Sequence, residues 1–282
     1  MQQPTLHPTS KKLLESLTRE LPQALIVTGK DGTGTLEVAK YISHILGSPE
    51  DIIVPKKKSK DGKKFEVDIE NGRVLTEDVR GLYDSVRGKQ TKPRVFIIQK
   101  ADRMMANAQH ALLKLLEEPN DNIYFILETY NAGLLFPTIR SRAQALTILP
   151  LTTAQTDMFL DEMNVTDQKK RAQLNFIAGG LPVELRRLIE DDDYFNERAQ
   201  RINDARQFLQ ADSYQRLLLV QKYQANREHT LQLLDSAIQI TRHSVSAKPQ
   251  TALISQLETL LAVRERIAGN QNIRLQLAKF VL

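Results

Sequence analysis

The chain has 282 residues, 41% hydrophobic and 26% charged, with 12 glycines and 11 prolines, which suits two or three folded domains and excludes a low-complexity protein. The 39 lysines and arginines exceed the 34 aspartates and glutamates, which gives a net charge of +5. This charge permits a nucleic-acid or acidic partner without establishing one. The chain has no cysteine and no run near the ~20 apolar residues of a bilayer span, which excludes disulfides, cysteine-based zinc sites and a transmembrane helix.

Helix and strand signals alternate over the first 150 residues, which predicts an α/β fold with a parallel sheet. Short apolar runs typical of buried strands alternate with segments of helical spacing. The predicted strands are Ala24–Thr28, Arg94–Ile98, Asn122–Leu127 and Ala145–Leu149, and the predicted helices are Ser10–Leu21, Leu36–Leu46, Thr76–Arg87 and Ala108–Glu118. Thr76 is expected to cap the third of these helices.

After Pro150 the pattern becomes helical, with Thr152 or Thr153 as the first cap and a break at Gly179-Gly180. A solvated boundary is expected at Asp191-Asp192-Asp193, and only helices follow it. We therefore predict three parts: an α/β domain over 1–150, a helical lid over 151–192 and a larger helical domain over 193–282.

A glycine-rich turn with P-loop spacing lies between the first strand and its helix. Gly29, Gly32 and Gly34 provide the turn, and Gly29 and Gly34 hold the spacing of G-x-x-x-x-G-K-[ST]. A working P-loop follows its last glycine with a lysine for phosphate and a hydroxyl for Mg²⁺. Here Thr35 and Leu36 occupy those two positions, so the turn keeps the backbone cradle and loses its cation.

The second apolar strand lacks its acidic end as well. Where a nucleotide hydrolase needs an Asp for Mg²⁺ and a Glu to activate water, this chain has Gln99-Lys100. The lysine, the hydroxyl and the two carboxylates are thus all replaced, so we expect no hydrolysis, no metal and no cofactor. Nucleotide binding by the remaining backbone amides stays open. The alternative is a divergent ATPase that uses Lys30 or Lys100 in an unorthodox role.

Two longer strings carry a family resemblance. Residues 101–104 and 108–119 (ADRM and AQHALLKLLEEP) and 136–143 (FPTIRSRA) resemble the corresponding motifs of AAA+ clamp-loader subunits, with His110 for the usual Asn and Ala143 for the usual Cys. With its phosphate-binding residues missing, the chain resembles the delta-prime branch of this family in bacterial DNA polymerase III. The resemblance covers residues 20–190, and residues 269–277 are similar to the family's closing helix.

This resemblance implies a function that the residues alone do not. It implies an AAA+ domain, a helical lid and a C-terminal helical collar, in a cytoplasmic subunit without ATPase activity. The implied partners are gamma/tau-type ATPase and delta-type subunits, the sliding clamp and primer-template DNA. Arg142, next to Ser141, would be an arginine finger for a neighbour's ATP site, and the local alternative is an ion pair with a carboxylate.

A lysine-rich segment departs from the family, which commonly has a four-cysteine zinc module there. Asp61-Gly62 predicts the turn of a protruding hairpin. The candidate DNA contacts on it are Lys56, Lys57, Lys58, Lys60, Lys63 and Lys64. A solvated hairpin is the alternative, and a DNA-binding regulatory module on the same fold is a third hypothesis for the whole chain.

Overall fold

The computed structural model of the chain describes residues 3–59, 64–86, 90–117 and 120–278. The chain divides into two compact units, Met1–Arg186 (the N-terminal unit) and Arg187–Leu282 (the C-terminal unit). The finer division into 1–150, 151–192 and 193–282 stays a prediction.

A parallel sheet forms the centre of the N-terminal unit. Its strands are β1 Ala24–Gly29, β2 Asp51–Ile53, β5 Arg94–Ile98, β6 Ile123–Thr129 and β7 Gln144–Ile148. They lie in the order β2-β5-β6-β1-β7, and every neighbouring pair is parallel. The four apolar runs predicted as strands are all present, because strands covered on both faces need apolar side chains at every position.

Helices cover both faces of the sheet. Helices α1 Pro8–Leu17 and α2 Thr35–Ile45 lie on one face, and α3 Thr76–Ser85, α4 Ala106–Glu117 and the short α5 Pro137–Arg140 lie on the other. Alternate residues of β1 enter the two cores: Leu25 packs in the α1–α2 core and Ile26 in the α3–α4 core. The predicted α/β layer with a parallel sheet is therefore confirmed.

The start of α3 differs from the prediction. Thr76 is the first helical residue, and the cap position belongs to Leu75, without a side-chain capping bond. A parallel bridge between Val74 and Met104 holds the chain extended up to this point. Thr76 therefore lies one position too far along the chain to cap the helix, and the expected cap was wrong.

A two-stranded antiparallel hairpin connects β2 to α3. Its strands are β3 Lys56–Lys58 and β4 Phe65–Val67. The Ser59 N–H donates to the Lys64 carbonyl (2.8 Å), which extends the pairing by one residue on each strand. The predicted turn at Asp61-Gly62, with Lys60 and Lys63, lies outside the described residues.

Three helices follow the sheet: α6 Thr153–Glu162, α7 Gln168–Ala178 and α8 Pro182–Glu190. Thr152 caps α6 in a capping box with Gln155, which settles the choice between Thr152 and Thr153. The break at Gly179-Gly180 is also found, since both glycines have positive φ between α7 and α8. The boundary between the two compact units falls within α8.

The described part of the C-terminal unit is helical. It contains α9 Asp192–Gln210, α10 Ser213–Tyr223, α11 Arg227–Ala247, α12 Thr251–Ala268 and α13 Ile273–Ala278. Its core includes Phe208 from α9, Val220 from α10, Leu234 from α11, Leu260 from α12 and Leu277 from α13. Over the residues described, none of the helices combines the length and the apolar character that crossing a membrane requires.

Candidate functional site

The glycine turn lies at the carboxyl end of the sheet, where β1 ends. Gly32 and Gly34 both have φ of 86°, a conformation that favours glycine, and Gly34 is the N-cap of α2. A Cβ on Gly29 would lie 2.6 Å from Thr33 Oγ1 and 2.7 Å from the Ile148 carbonyl oxygen. The turn therefore has the geometry that the glycine spacing predicts.

A buried carboxylate lies behind this turn. Glu128, near the end of β6, is fully buried, and its carboxylate accepts hydrogen bonds from Thr35 Oγ1 (2.5 Å) and from the Lys100 backbone N–H (2.8 Å). Burial raises the pKa of Glu128, and the two hydrogen bonds only partly offset that effect. The Thr35 hydroxyl therefore donates its hydrogen bond to a carboxylate of the protein itself.

The residues after β5 are also held by the protein. Gln99 is buried, and its backbone N–H donates to the Ile53 carbonyl (2.9 Å). Lys100 is buried as well, with φ of 49° and its ammonium 5.3 Å from the centroid of the Tyr130 ring. The structure therefore brings Thr35, Lys100 and the turn together at one edge of the sheet, around Glu128.

Tyr130 lies at this edge beside Lys100. Burial, followed by the charges of Glu128 and Asp31, raises the pKa of Tyr130. The hydroxyl therefore stays protonated and available as a donor. Lys30 precedes Asp31 in the turn. Its side chain is exposed, whereas that of Lys100 is buried.

The first turn of α8 and the residue before it contact the glycine turn. The Val183 N–H donates to the Gly32 carbonyl (3.1 Å), and the Leu181 side chain lies 3.4 Å from where a Gly32 Cβ would be. Gly180, with φ of 80°, accepts a hydrogen bond from the Leu151 N–H (2.7 Å). These contacts join the turn to the helices after the sheet.

Arg142 follows α5 on the exposed surface. Its guanidinium donates to the Thr138 carbonyl (3.0 Å) and pairs with Glu117 at 3.2 Å, with 37% of the Arg142 side chain exposed and 51% of the Glu117 side chain. The local ion pair, which was the alternative to an arginine finger, is thus present. Ser141 Oγ donates to the same Thr138 carbonyl (3.1 Å), and Arg140 is exposed.

Gln109 positions the segment that leads to Arg142. This buried side chain donates to the carbonyls of Met104 (3.3 Å) and Leu134 (3.2 Å) and accepts from the Phe136 N–H (2.8 Å). The ring of His110 lies against Phe136, with 5.0 Å between the ring centroids. The two quoted strings, 108–119 and 136–143, are therefore in direct contact.

Several of these residues escaped prediction from the sequence. Glu117 and Gln109 lie within the string that carries the resemblance, but nothing in it indicates their contacts with Arg142 and Phe136. Glu128 left one signal, since it is a carboxylate directly after a continuous apolar strand. Such a residue is buried with partners or lies at a functional edge.

The lysine segment lies on the hairpin and apart from the glycine turn in sequence. Lys56 is partly buried and pairs with Asp78 on α3 (2.6 Å), whereas Lys57, Lys58 and Lys64 are exposed. Lys60 and Lys63 lie outside the described residues.

Comparison with known proteins decides the family. Residues 6–152 match the family model described as DNA polymerase III, delta subunit. The chain is 29% identical over 208 residues to DNA polymerase III subunit delta' of Bacillus subtilis. The aligned stretch covers 69% of this chain and 63% of that protein. This chain belongs to the DNA polymerase III delta-prime family.

Two further comparisons agree with the family assignment of this chain and with its fold. It is 39% identical over 77 residues to subunit delta' of Haemophilus influenzae, covering 26% of this chain and 24% of the relative. Each aligned stretch thus spans less than two thirds of its delta-prime relative. A gamma subunit-related protein of DNA polymerase III from Thermotoga maritima has the same fold, with a TM-score of 0.52, 18% identity and coverage of 95% and 97% of the two chains. The predicted AAA+ fold with a helical C-terminal region is confirmed.

Proposed function

We propose that this delta-prime family member is a non-hydrolysing subunit of a clamp loader. It assembles with gamma/tau-type ATPase and delta-type subunits, supplies Arg142 to a neighbouring ATP site and helps to load the sliding clamp onto primer-template DNA. The observation that carries this proposal is the exposed guanidinium of Arg142 on a segment fixed by the buried Gln109.

The chain's own glycine turn does not fit a magnesium nucleotide. The position of the phosphate-binding lysine holds Thr35, which bonds to Glu128, and the position of the Mg²⁺-binding hydroxyl holds Leu36. A buried carboxylate at this place would repel phosphate oxygens. We therefore derive no hydrolytic step in this chain and assign no role to Lys30 or Lys100 in such a step.

Arg142 can leave its present partner at little cost. An exposed ion pair such as Arg142–Glu117 stabilises a protein by about 0–1 kcal/mol. A charge-assisted bidentate contact with phosphate oxygens is stronger, and arginine fingers supplied in trans accelerate phosphoryl transfer by ~10³–10⁵-fold. The exchange of Glu117 for a neighbour's phosphate is therefore favourable once the subunits assemble.

The C-terminal unit carries an apolar surface that suits assembly. Tyr214, Leu217 and Leu218 on α10 are exposed, with Leu275 exposed on the adjacent α13. Clusters of exposed apolar side chains mark interaction sites in soluble proteins. This surface supports the role of the C-terminal helices as a collar.

The decisive experiment reconstitutes the loader from this chain and its cognate ATPase, delta-type and clamp subunits. DNA-stimulated ATP hydrolysis is measured for the wild type, Arg142→Ala and the matched control Arg140→Ala, after size-exclusion chromatography confirms assembly. We expect a loss of at least tenfold for Arg142→Ala and less than twofold for Arg140→Ala. Assembly with unchanged hydrolysis in Arg142→Ala would contradict the finger, and steady hydrolysis by the isolated wild-type chain would support the divergent-ATPase alternative.

A further inference from the structure

We propose that the β3–β4 hairpin and the cleft at its base form a binding site for single-stranded nucleic acid. This proposal does not rest on the clamp-loader role of Arg142, and it concerns residues that the role does not use.

The hairpin has two different faces. Lys58 is opposite Phe65 and Lys56 is opposite Val67, whereas Lys57 is opposite Glu66. Because side chains alternate across a strand, Lys56, Lys58, Phe65 and Val67 share one face and Lys57 and Glu66 share the other. Lysine is thus combined with apolar side chains on one face and with a carboxylate on the other. We call the first of these the Phe65 face.

The Phe65 face is open to solvent. Phe65 is 50% exposed and Val67 is 61% exposed, which is unusual for large apolar side chains on a hairpin. The ammonium of Lys58 lies 6.0 Å from the centroid of the Phe65 ring. A flat aromatic surface beside a cation suits a stacked base and its phosphate.

The hairpin is held firmly at its base. Lys56 exchanges both backbone hydrogen bonds with Arg73 (2.8 Å each), and its ammonium pairs with Asp78 on α3. Gly72 packs closely there, since a Cβ would lie 2.3 Å from the Asp68 carbonyl oxygen. A pre-positioned surface loses less conformational entropy when it binds a ligand.

A second observation lies next to this base. A cleft of about 370 Å³ is lined by Asn71, Arg73, Arg103 and Met105, among others. Asp102 also lines it, but its carboxylate accepts a hydrogen bond from Thr129 Oγ1 (2.7 Å). With two arginines against one aspartate among its lining residues, the cleft has a net positive charge and donors of the kind that phosphate oxygens require.

Backbone hydrogen bonds link the hairpin to the residues that line the cleft. Arg73 is bonded to Lys56, and the next residue, Val74, donates from its N–H to the Arg103 carbonyl (3.3 Å). In the proposed complex one strand stacks a base on Phe65, and its phosphates contact Lys58 and the arginines of the cleft. Paired bases in a duplex do not offer such a face, so a single strand is the ligand that fits.

An acidic peptide is the alternative ligand for the hairpin, but the short strands do not favour it. A peptide would add to a hairpin edge, but β3 and β4 have only three residues each, which offers few main-chain bonds. The aromatic ring with its neighbouring cation is instead the pairing that sequence-tolerant single-strand binders use.

The test measures binding of the isolated full-length chain to fluorescein-labelled oligo(dT) by fluorescence anisotropy. We expect Phe65→Leu to weaken binding about fivefold or more, because leucine keeps the apolar surface but removes the ring, and Phe65→Tyr to bind like the wild type. Lys58→Gln and Arg73→Gln should each reduce the slope of log K against log salt concentration by about 0.7.

Lys57→Gln is the matched control, since this lysine lies on the same strand but on the opposite face. We expect it to change binding less than twofold, and an unlabelled duplex to compete less well than a single strand. Absence of oligo(dT) binding by the wild type, unchanged binding by Phe65→Leu, or equal losses for Lys57→Gln and Lys58→Gln would overturn the proposal. Circular dichroism checks that each variant is folded, and none of these outcomes depends on Arg142.

Discussion

Thr35 occupies the position that a functional P-loop gives to lysine, and its buried hydroxyl donates to Glu128. This pair places a buried carboxyl group behind a turn that lacks the P-loop lysine. The backbone cradle remains, since Gly32 and Gly34 keep their positive φ angles. A change of side chains, without a change of backbone, thus accounts for the expected loss of nucleotide chemistry.

Restoring the motif should therefore fail to restore activity. We expect the double variant Thr35→Lys with Leu36→Thr to hydrolyse no MgATP, because the new ammonium would pair with the buried Glu128 and Gln99 would still stand where a carboxylate is needed. Phosphate release by the isolated chain measures this.

The triple variant Thr35→Lys, Leu36→Thr, Glu128→Gln is the control, because it removes the carboxylate with which the new lysine would pair. We expect it to bind MgATP more tightly than the double variant in calorimetric titration, still without hydrolysis. Hydrolysis by the double variant above the wild-type background would contradict this interpretation.

Helix capping gives a prediction at the scale of one element. Thr152 accepts from the Gln155 N–H, and its own N–H donates to the Gln155 side chain (3.0 Å), which completes the capping box of α6. We expect Thr152→Ala to lower the free energy of unfolding by about 1 kcal/mol, measured by urea denaturation. Thr153→Ala, one residue along and exposed, is the matched control and should change stability by less than ~0.5 kcal/mol. Equal losses in the two variants would contradict the capping assignment.

The elements differ in how well the sequence predicts them. Central strands such as β5, predicted and found at Arg94–Ile98, have continuous apolar runs because helices cover both faces. The N-cap of α3 was predicted one residue too late because the bridge between Val74 and Met104, thirty residues apart in sequence, sets where the extended chain ends. Local patterns carry no information about such a bridge.

The candidate site follows the same rule. The glycine spacing and the Gln99-Lys100 replacement are local and could be predicted from the sequence. The partner of Thr35 is 93 residues away and the partner of Arg142 is 25 residues away, so both depend on the folded register of strands and helices. The resemblance indicated Arg142 as a residue of interest, but not that Glu117 holds it in the isolated chain.

At the scale of the whole molecule, each unit has, among its described residues, a buried carboxyl group with several hydrogen-bond donors. Glu128 lies at the sheet edge of the N-terminal unit. In the C-terminal unit the buried Asp204 accepts from Lys222 (2.5 Å), Tyr223 (2.7 Å) and Gln200 (2.9 Å), which joins α9 to α10. Burial acts to raise the pKa of Asp204, but these three donors outweigh it and the pKa is lowered.

The two carboxylates should give opposite pH dependences. The pKa of Glu128 is higher in the folded than in the unfolded state, so its stabilising contribution is full below the unfolded value, near 4.5, and is lost as the pH rises through the folded value. The pKa of Asp204 is lower in the folded state, so its contribution is present above about 3.8 and is lost as the pH falls through the folded value.

Amide substitutions isolate each contribution, because they remove the titration and keep the side-chain shape. Glu128→Gln should gain stability relative to the wild type as the pH rises from 4 to 8, since glutamine can still accept from the Lys100 N–H and donate to Thr35. Asp204→Asn should be less stable than the wild type by about 2–3 kcal/mol at pH 7, with a deficit that shrinks as the pH falls below 3.8. Urea denaturation followed by circular dichroism, from well below pH 3.8 to pH 8, measures both differences. Differences from the wild type that do not change with pH, or that change in the same direction for both variants, would mean that neither carboxylate controls the stability of its unit in this way.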